Sequence, residues 1–150
     1  MKWFPLMILV YLSVSFLSLY MVKNIDTATS EFHGLGVSGI LPALLYAIFN
    51  TALPEEIFFR GFILKRIPSK FGFYAANLIQ SVLFGLLHGT MFFSIAGMIK
   101  AMIIIVLTGA IAFCMGYVNE KKAGGSIIPS WCLHVLSNAF ASFVALFSIL

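Results

Sequence analysis

The chain has 150 residues, of which 61% are hydrophobic and 9% are charged, and its mean hydropathy is +1.06. A soluble domain of this size cannot cover so much apolar surface with so few charged side chains. The composition therefore excludes a soluble protein and predicts an integral membrane protein. The net charge of +4 is interpreted as a signal of membrane topology, and a nucleic-acid partner is not expected.

Five apolar stretches are each long enough to cross a hydrocarbon core of about 30 Å, which takes roughly 20 residues as a helix. They are Trp3–Val22, Leu35–Leu64, Phe71–Phe93, Ile95–Val118 and Ile127–Leu150. Little chain is left for loops, so the sequence predicts one all-α domain over residues 1–150, a polytopic membrane helical bundle of about five transmembrane helices. The first stretch exceeds the roughly 7–15 apolar residues of a signal peptide and is interpreted as a retained anchor.

Basic residues are unevenly divided between the two ends of these spans. One side carries Lys2, Lys65, Arg66, Lys70, Lys121 and Lys122, whereas the other carries Lys23 and Lys100. Because cytoplasmic loops carry an excess of lysine and arginine, we predict that the amino terminus faces the cytoplasm.

The connections between the spans are polar or rich in glycine. Residues 23–36 predict an exposed loop, and residues 119–125 predict a plain turn. Ser126 then suits the cap of the last helix. In the fourth span, Gly109 and Gly116 are expected to let neighbouring helices approach closely.

The second span contains charged residues at a depth where lipid disfavours them. It carries Glu55, Glu56 and Arg60, directly after Pro54. Ionisable groups inside a membrane usually line a cavity, pair with each other or take part in chemistry. A proline in mid-helix removes a backbone hydrogen bond, so a kink is expected just before the two glutamates.

Helical spacing gives the two glutamates different roles. Glu56 and Arg60 stand four residues apart with the acid first, which favours an ion pair. Glu55 lies about 100° away round the helix, and no Lys, Arg or His stands three or four residues from it. Glu55 is therefore a candidate general base.

Two later spans carry histidines. His88 follows Phe84 by four residues in the third span, and His134 precedes Asn138 by four residues in the last. A histidine on an apolar helix is often only a core residue, but inside lipid an imidazole needs a polar partner, so both interpretations of His88 stay open. His134 and Asn138 lie one turn apart on one face, which predicts a common target.

Three patterns thus stand in order along the chain: Glu55-Glu56-x-x-x-Arg60, Phe84-x-x-x-His88 and His134-x-x-x-Asn138. The ordered set resembles the three motifs of the CPBP family, also called the Abi family, over about residues 41–138. This family includes type II CAAX prenyl endopeptidases and bacteriocin-processing or immunity proteins. The resemblance implies an intramembrane endopeptidase that cleaves a lipidated or otherwise membrane-associated peptide or protein near its carboxy terminus. It also implies a site that opens to the cytoplasm from the plasma (inner) membrane of a prokaryote.

The resemblance implies roles for the motif residues as well. Glu55 and His88 would activate a water that attacks the scissile carbonyl, while His134 and Asn138 would donate hydrogen bonds to the developing oxyanion. The four side chains are then expected to share one wet pocket. No metal or other cofactor is expected, although Glu55, His88 and His134 form a set of the kind that binds catalytic zinc, and this alternative stays open.

The remaining motif residues, Glu56, Arg60 and Phe84, would support the site under the same resemblance. The residue inventory excludes other protease classes. The single aspartate, Asp26, cannot form a catalytic aspartate pair, and Ser130 lies on a helix without the exposed turn of a serine nucleophile.

Two functions other than proteolysis stay open. A catalytically silent family member, such as an immunity protein, would bind a peptide or a partner helix in the membrane. A small transporter subunit would use Glu55 as a proton or cation site. The sequence carries no signal for an oligomeric state.

Overall fold

The computed structural model describes the backbone of residues 4–66 and 68–150, with the side chains of all of these except Phe4 and residues 68–70. Over the described residues every regular element is helical, which confirms the all-α class. In this part of the chain, five helices are long and apolar enough to cross a membrane, so the protein is an integral membrane protein. Lys2 and Trp3, on which the topology and the first span partly rest, lie outside the described residues.

Five long helices follow one another along the chain, and we number them in that order. They are α1 (Phe4–Val22), α2 (Gly36–Arg66), α3 (Pro68–Ala96), α4 (Met98–Lys122) and α5 (Ile128–Leu146). The backbone of α3 is kinked at Gly72, where φ is +78°. The predicted spans match these helices except at some ends.

One predicted boundary is wrong because of a glycine. The sequence predicts that the fourth span begins at Ile95, but this residue belongs to α3. Gly97, with φ +83°, interrupts the helical backbone at this point, since residues with a side chain rarely adopt such a conformation. The fourth helix therefore starts at Met98 and continues past the predicted Val118 to Lys122.

The described chain divides into two compact units. One consists of Met1–Pro54 with Cys132–Leu150, and the other of Glu55–Trp131. We describe each unit by itself, and the single domain over residues 1–150 stays a prediction.

In the first unit, the connection after α1 folds onto the end of α5. Phe32, in a short 3-10 turn, is buried together with Ala43 and Leu146. The backbone N–H of Gly34 donates to the carbonyl of Ala145 over 3.1 Å. The segment predicted as an exposed loop is therefore partly packed, because Phe32 buries its apolar ring there.

In the second unit, α3 and α4 approach closely through small residues, as predicted for Gly109 and Gly116. A Cβ atom on Gly85 would lie only 2.5 Å from the carbonyl oxygen of Ile105, and one on Gly109 would lie 3.2 Å from that of Ser81. Gly116 makes room in the same way for polar side chains of α3. Absence of side chains at such positions is what allows two helix backbones to come together in a membrane.

The helix α2 departs from regular α-helical geometry on both sides of the glutamates. Tyr46–Ala52 and Ile57–Ile63 are π-helical, and Leu53–Glu56 between them is α-helical. Pro54 has no N–H to donate, so the hydrogen bonds around it must rearrange. The sequence predicted one irregularity before the glutamates, whereas the structure has one on each side. Such π-helical turns are frequent at functional sites.

Candidate active site

Glu55 on α2 and His88 on α3 lie next to each other within the second unit. His88 Nε2 is 3.8 Å from Glu55 Oε2, and the two side chains are 26% and 27% exposed. Glu55 and His88 are on different helices, so their contact arises from tertiary packing and could not be predicted from residue spacing along one helix. The structure thus brings together two of the four candidate catalytic residues.

A backbone carbonyl decides which nitrogen of His88 carries a proton. His88 Nδ1 lies 3.0 Å from the carbonyl oxygen of Phe84, one turn earlier on α3. A carbonyl oxygen can only accept, so Nδ1 must be the donor, and in a neutral imidazole Nε2 is then an acceptor. Nε2 and Glu55 Oε2 are two acceptors at a separation that one water molecule can bridge by donating to both.

Phe84 also fixes the ring plane of His88. The two rings stack with centroids 4.3 Å apart and planes inclined by 31°. The guanidinium carbon of Arg60 lies 4.4 Å from the centroid of the Phe84 ring, and Phe59 packs edge-on against that ring at 5.0 Å. Phe84, which the resemblance predicts as a supporting residue, therefore contacts both Arg60 and His88 with its ring.

The predicted ion pair between Glu56 and Arg60 is present and completely buried. Glu56 Oε1 lies 2.9 Å from Arg60 NH1, and both side chains are 0% exposed. Arg60 NH2 also contacts the sulfur of Met115 at 3.4 Å. A buried charge pair persists only with good geometry and further hydrogen bonds, and Glu56 has one such bond from outside the motifs.

That bond comes from Ser130, a residue that sequence reasoning considered only as a nucleophile and rejected. Ser130 Oγ donates to Glu56 Oε2 over 2.5 Å, and it accepts from Asn119 Nδ2 over 2.6 Å. Asn119 was predicted to lie in a plain turn, which was wrong because α4 continues through it to Lys122. Asn119 is only 1% exposed. Its hydrophilic neighbours in sequence concealed that burial.

The other two candidate residues lie on α5 in the first unit. His134 is 4% exposed. Asn138 Nδ2 donates to Thr51 Oγ1 over 2.7 Å, and the Thr51 hydroxyl is 3.3 Å from the carbonyl oxygen of Ala47 on its own helix. Because the Thr51 hydroxyl donates its proton to a backbone carbonyl, its oxygen can only accept from Asn138. The NH₂ group of Asn138 therefore points toward the Thr51 oxygen. Thr51 is a polar partner that the sequence gave no reason to select.

Within each unit, the described residues contain no group of three His, Cys, Asp or Glu side chains that could hold a metal ion. The alternative zinc set is divided between the units, with Glu55 and His88 in one and His134 in the other. It stays a prediction.

Comparison with known families agrees with the motif pattern. The sequence model of the family described as type II CAAX prenyl endopeptidase Rce1-like matches residues 37–140, a segment that contains all three motifs and more than half of the chain. No curated protein and no solved structure matches the chain. The description is that of a protease family. On the match over residues 37–140, the chain belongs to the Rce1-like family of type II CAAX prenyl endopeptidases, within the CPBP group.

Proposed function

We propose that the chain is an intramembrane endopeptidase that hydrolyses a peptide bond near the carboxy terminus of a lipidated or otherwise membrane-associated substrate. The observation that carries this proposal is the contact between Glu55 and His88 at 3.8 Å, with His88 Nδ1 held by the Phe84 carbonyl. This arrangement leaves a carboxylate and an imidazole acceptor facing the same small volume, which is what activation of a water requires.

In the proposed mechanism, one water molecule donates to Glu55 and to His88 Nε2. Glu55 takes a proton as the water oxygen forms a bond to the scissile carbonyl carbon. The carbon–nitrogen bond then breaks, and the proton held by Glu55 passes to the leaving amine. We assign His134 and Asn138 as donors to the oxyanion of the tetrahedral intermediate, by analogy with the family motifs and because an imidazole and an amide can both donate.

We further propose that the reaction needs no metal. The zinc alternative has chemical support, because Glu55 Oε2 and His88 Nε2 are both atoms that zinc accepts as ligands. Activity that survives exhaustive treatment with a chelator supports the metal-free reaction. Loss of activity that added zinc restores, with no effect of magnesium, would establish the zinc alternative.

The proposed orientation places the amino terminus and the opening of the site on the cytoplasmic side of a prokaryotic inner membrane. Within the second unit, α2 and α4 both end in exposed basic residues, and Lys65 Nζ donates to the carbonyl of Gly125 over 2.6 Å. Lysine and arginine collected at one end in this way support a cytoplasmic location for that end. An impermeant thiol reagent added to intact cells should then label Lys23→Cys but spare Lys122→Cys in a cysteine-free background.

The substrate can be sought by comparing membrane proteomes of cells that carry the wild-type chain or Glu55→Gln. One peptide or protein should retain its carboxy-terminal segment only with Glu55→Gln, because the amide cannot take a proton from water. Glu31→Gln, which changes an exposed acid in the first connection, is the matched control and should process the substrate normally. A non-catalytic immunity protein instead predicts identical proteomes and an unchanged phenotype with Glu55→Gln.

A further inference from the structure

A chain of polar and aromatic contacts runs through the second unit from Asn119 to His88. It begins with two side chains outside the three motifs, Asn119 and Ser130, and reaches the motifs at Glu56. We propose that Asn119 and Ser130 are positioning residues for peptide hydrolysis, and that they fix Glu56 and, through Arg60 and Phe84, the imidazole of His88. This inference rests on the proposed function.

The direction of each hydrogen bond at Ser130 follows from the chemistry of its partners. A side-chain amide nitrogen only donates, and an ionised carboxylate only accepts. Asn119 Nδ2, at 2.6 Å, therefore donates to Ser130 Oγ, and the serine hydroxyl donates onward to Glu56 Oε2 at 2.5 Å. A hydroxyl group can accept from the amide and donate to the acid with one atom.

Asn119 also holds the backbone of Ser130. Its Oδ1 accepts from the Ser130 N–H over 3.3 Å. Ser130 stands in the first turn of α5, where backbone N–H groups have no partner inside the helix. Asn119 thus binds both the hydroxyl and the backbone of the same residue, and the serine has little freedom to move away from Glu56.

Other hydroxyl groups of the second unit are used differently. Ser81 Oγ donates to the Leu78 carbonyl over 2.9 Å, and Thr108 Oγ1 donates to the Ile104 carbonyl over 2.7 Å. Both satisfy themselves on their own helix, as hydroxyls inside apolar helices commonly do. Ser130 has the same option, because the Ile127 carbonyl lies 3.0 Å away. Its shorter contact is instead with Glu56 on another helix, and bonds to charged acceptors are the stronger ones.

From Glu56 the contacts continue without a gap to the candidate catalytic histidine. Glu56 Oε1 holds Arg60 at 2.9 Å, and the Arg60 guanidinium lies over the Phe84 ring. Phe84 stacks on the His88 ring and accepts from its Nδ1. A shift of Glu56 would therefore move or tilt the ring on which His88 rests.

The first test separates catalysis from binding and folding. Ser130→Ala is expected to lower kcat by about ten-fold, the scale of a sub-ångström misplacement, with KM unchanged. Ser130→Thr keeps the hydroxyl and should return kcat to within about two-fold of wild type, and Asn119→Ala should follow Ser130→Ala with a smaller loss. Ser142→Ala removes another buried hydroxyl from the same helix and is the matched control. Equal kcat in Ser130→Ala and wild type, or a loss that Ser130→Thr fails to restore, would overturn the inference.

A double-variant cycle then tests the route through Glu56. If Ser130 acts only through that carboxylate, Ser130→Ala should add little to the loss caused by Glu56→Gln. Fully additive losses would mean that Ser130 acts on the reaction by some other route, which also overturns the inference.

A readout without substrate distinguishes failure of this inference from failure of the proposed function. The chain has three histidines, so the ring ¹⁵N resonances of His88 can be assigned by their loss in His88→Gln. Ser130→Ala should shift these resonances and Ser142→Ala should not. A shift in a protein that cleaves no peptide would uphold the structural route from Ser130 to His88 and reject the peptidase. An active wild type with unshifted resonances in Ser130→Ala would reject the positioning role alone.

Discussion

Glu55 and Glu56 are neighbours in the chain, but the second unit places them in opposite environments. Glu56 is 0% exposed, with one oxygen 2.9 Å from Arg60 and the other 2.5 Å from Ser130. Glu55 is 27% exposed, and its contact with His88 is 3.8 Å long. Under the proposed function, Glu56 is structural and Glu55 is reactive, and the two acids differ in what fills the space around their oxygens.

The backbone of α2 makes this division possible. Consecutive residues of a helix point about 100° apart. Glu55 can therefore face the imidazole of His88 while Glu56 faces the interior of the unit. Glu56 has a partner at each oxygen, with Arg60 in an ion pair at Oε1 and the Ser130 hydroxyl donating to Oε2. Glu55 Oε2 is instead 3.8 Å from His88 Nε2, a separation that one water molecule can bridge.

The largest expected effect comes from removing the acid that faces His88. Glu55→Gln keeps the size of the side chain but cannot accept a proton from water, so kcat should fall by about 10²–10⁴-fold, the range for general-base catalysis. The midpoint of unfolding in mixed detergent micelles should stay close to wild type, because Glu55 is partly exposed. The comparison between the two acids fails if Glu55→Gln retains activity and Glu56→Gln, with a stable fold, abolishes it.

The next largest effect is on stability and comes from the buried acid. Arg60→Met leaves the Glu56 carboxylate buried without its cation, and breaking such a pair costs about 3–5 kcal/mol in free energy of unfolding. Arg66→Met removes an exposed cation from the same helix and should change that free energy by less than about 0.5 kcal/mol. Equal losses in the two variants, measured by reversible unfolding in mixed micelles, would contradict a structural role for the buried pair.

Part of this arrangement follows from local sequence rules. The five membrane spans come from runs of apolar residues, and the pair between Glu56 and Arg60 comes from four-residue spacing on one helix. The cap is equally local, since Ser126 Oγ accepts from the N–H of Ile128 over 3.3 Å. Each of these features depends on residues that are close in the chain.

The features that sequence reasoning missed depend on residues far apart or on competing backbone geometries. Ser130 and Glu56 are separated by 74 positions, and no periodicity links them. The π-helical turns of α2 rearrange the backbone hydrogen bonds around Pro54. The apolar pattern of the sequence predicts a helix here, but it does not distinguish π-helical turns from an ordinary proline kink. The contact of Glu55 with His88 was expected only from the resemblance to a family, because it arises from packing of two helices.

A smaller effect is expected from disturbing the packing of α4 against α3, the helix that carries His88. In Gly85→Ala the added Cβ would lie 2.5 Å from the Ile105 carbonyl oxygen, so the two helices must separate, at a cost of about 1–3 kcal/mol in unfolding free energy. In Gly61→Ala the nearest atom is 3.7 Å away, the Glu56 carbonyl oxygen, and the helix should tolerate the methyl group. Gly85→Ala should also lower kcat more than Gly61→Ala does, and the reverse order would show that α3 packing does not control the site.

The smallest effect should come from Phe84→Leu. This change separates the two contacts of Phe84 with His88, the ring contact and the hydrogen bond to the backbone carbonyl. The backbone carbonyl still accepts from Nδ1, so the proton stays on that nitrogen, while the stacked ring and its contact with Arg60 are lost. Aromatic pairs contribute about 0.5–1.5 kcal/mol beyond their buried area, and we expect a loss of that order in unfolding free energy. Phe93→Leu, an exposed position on the same helix, should lose less. If kcat falls only a few-fold in Phe84→Leu, the hydrogen bond from Nδ1 to the Phe84 carbonyl is the main contact that orients His88. A loss of kcat as large as in Glu55→Gln would mean that the Phe84 ring, together with the buried pair of Glu56 and Arg60, orients His88.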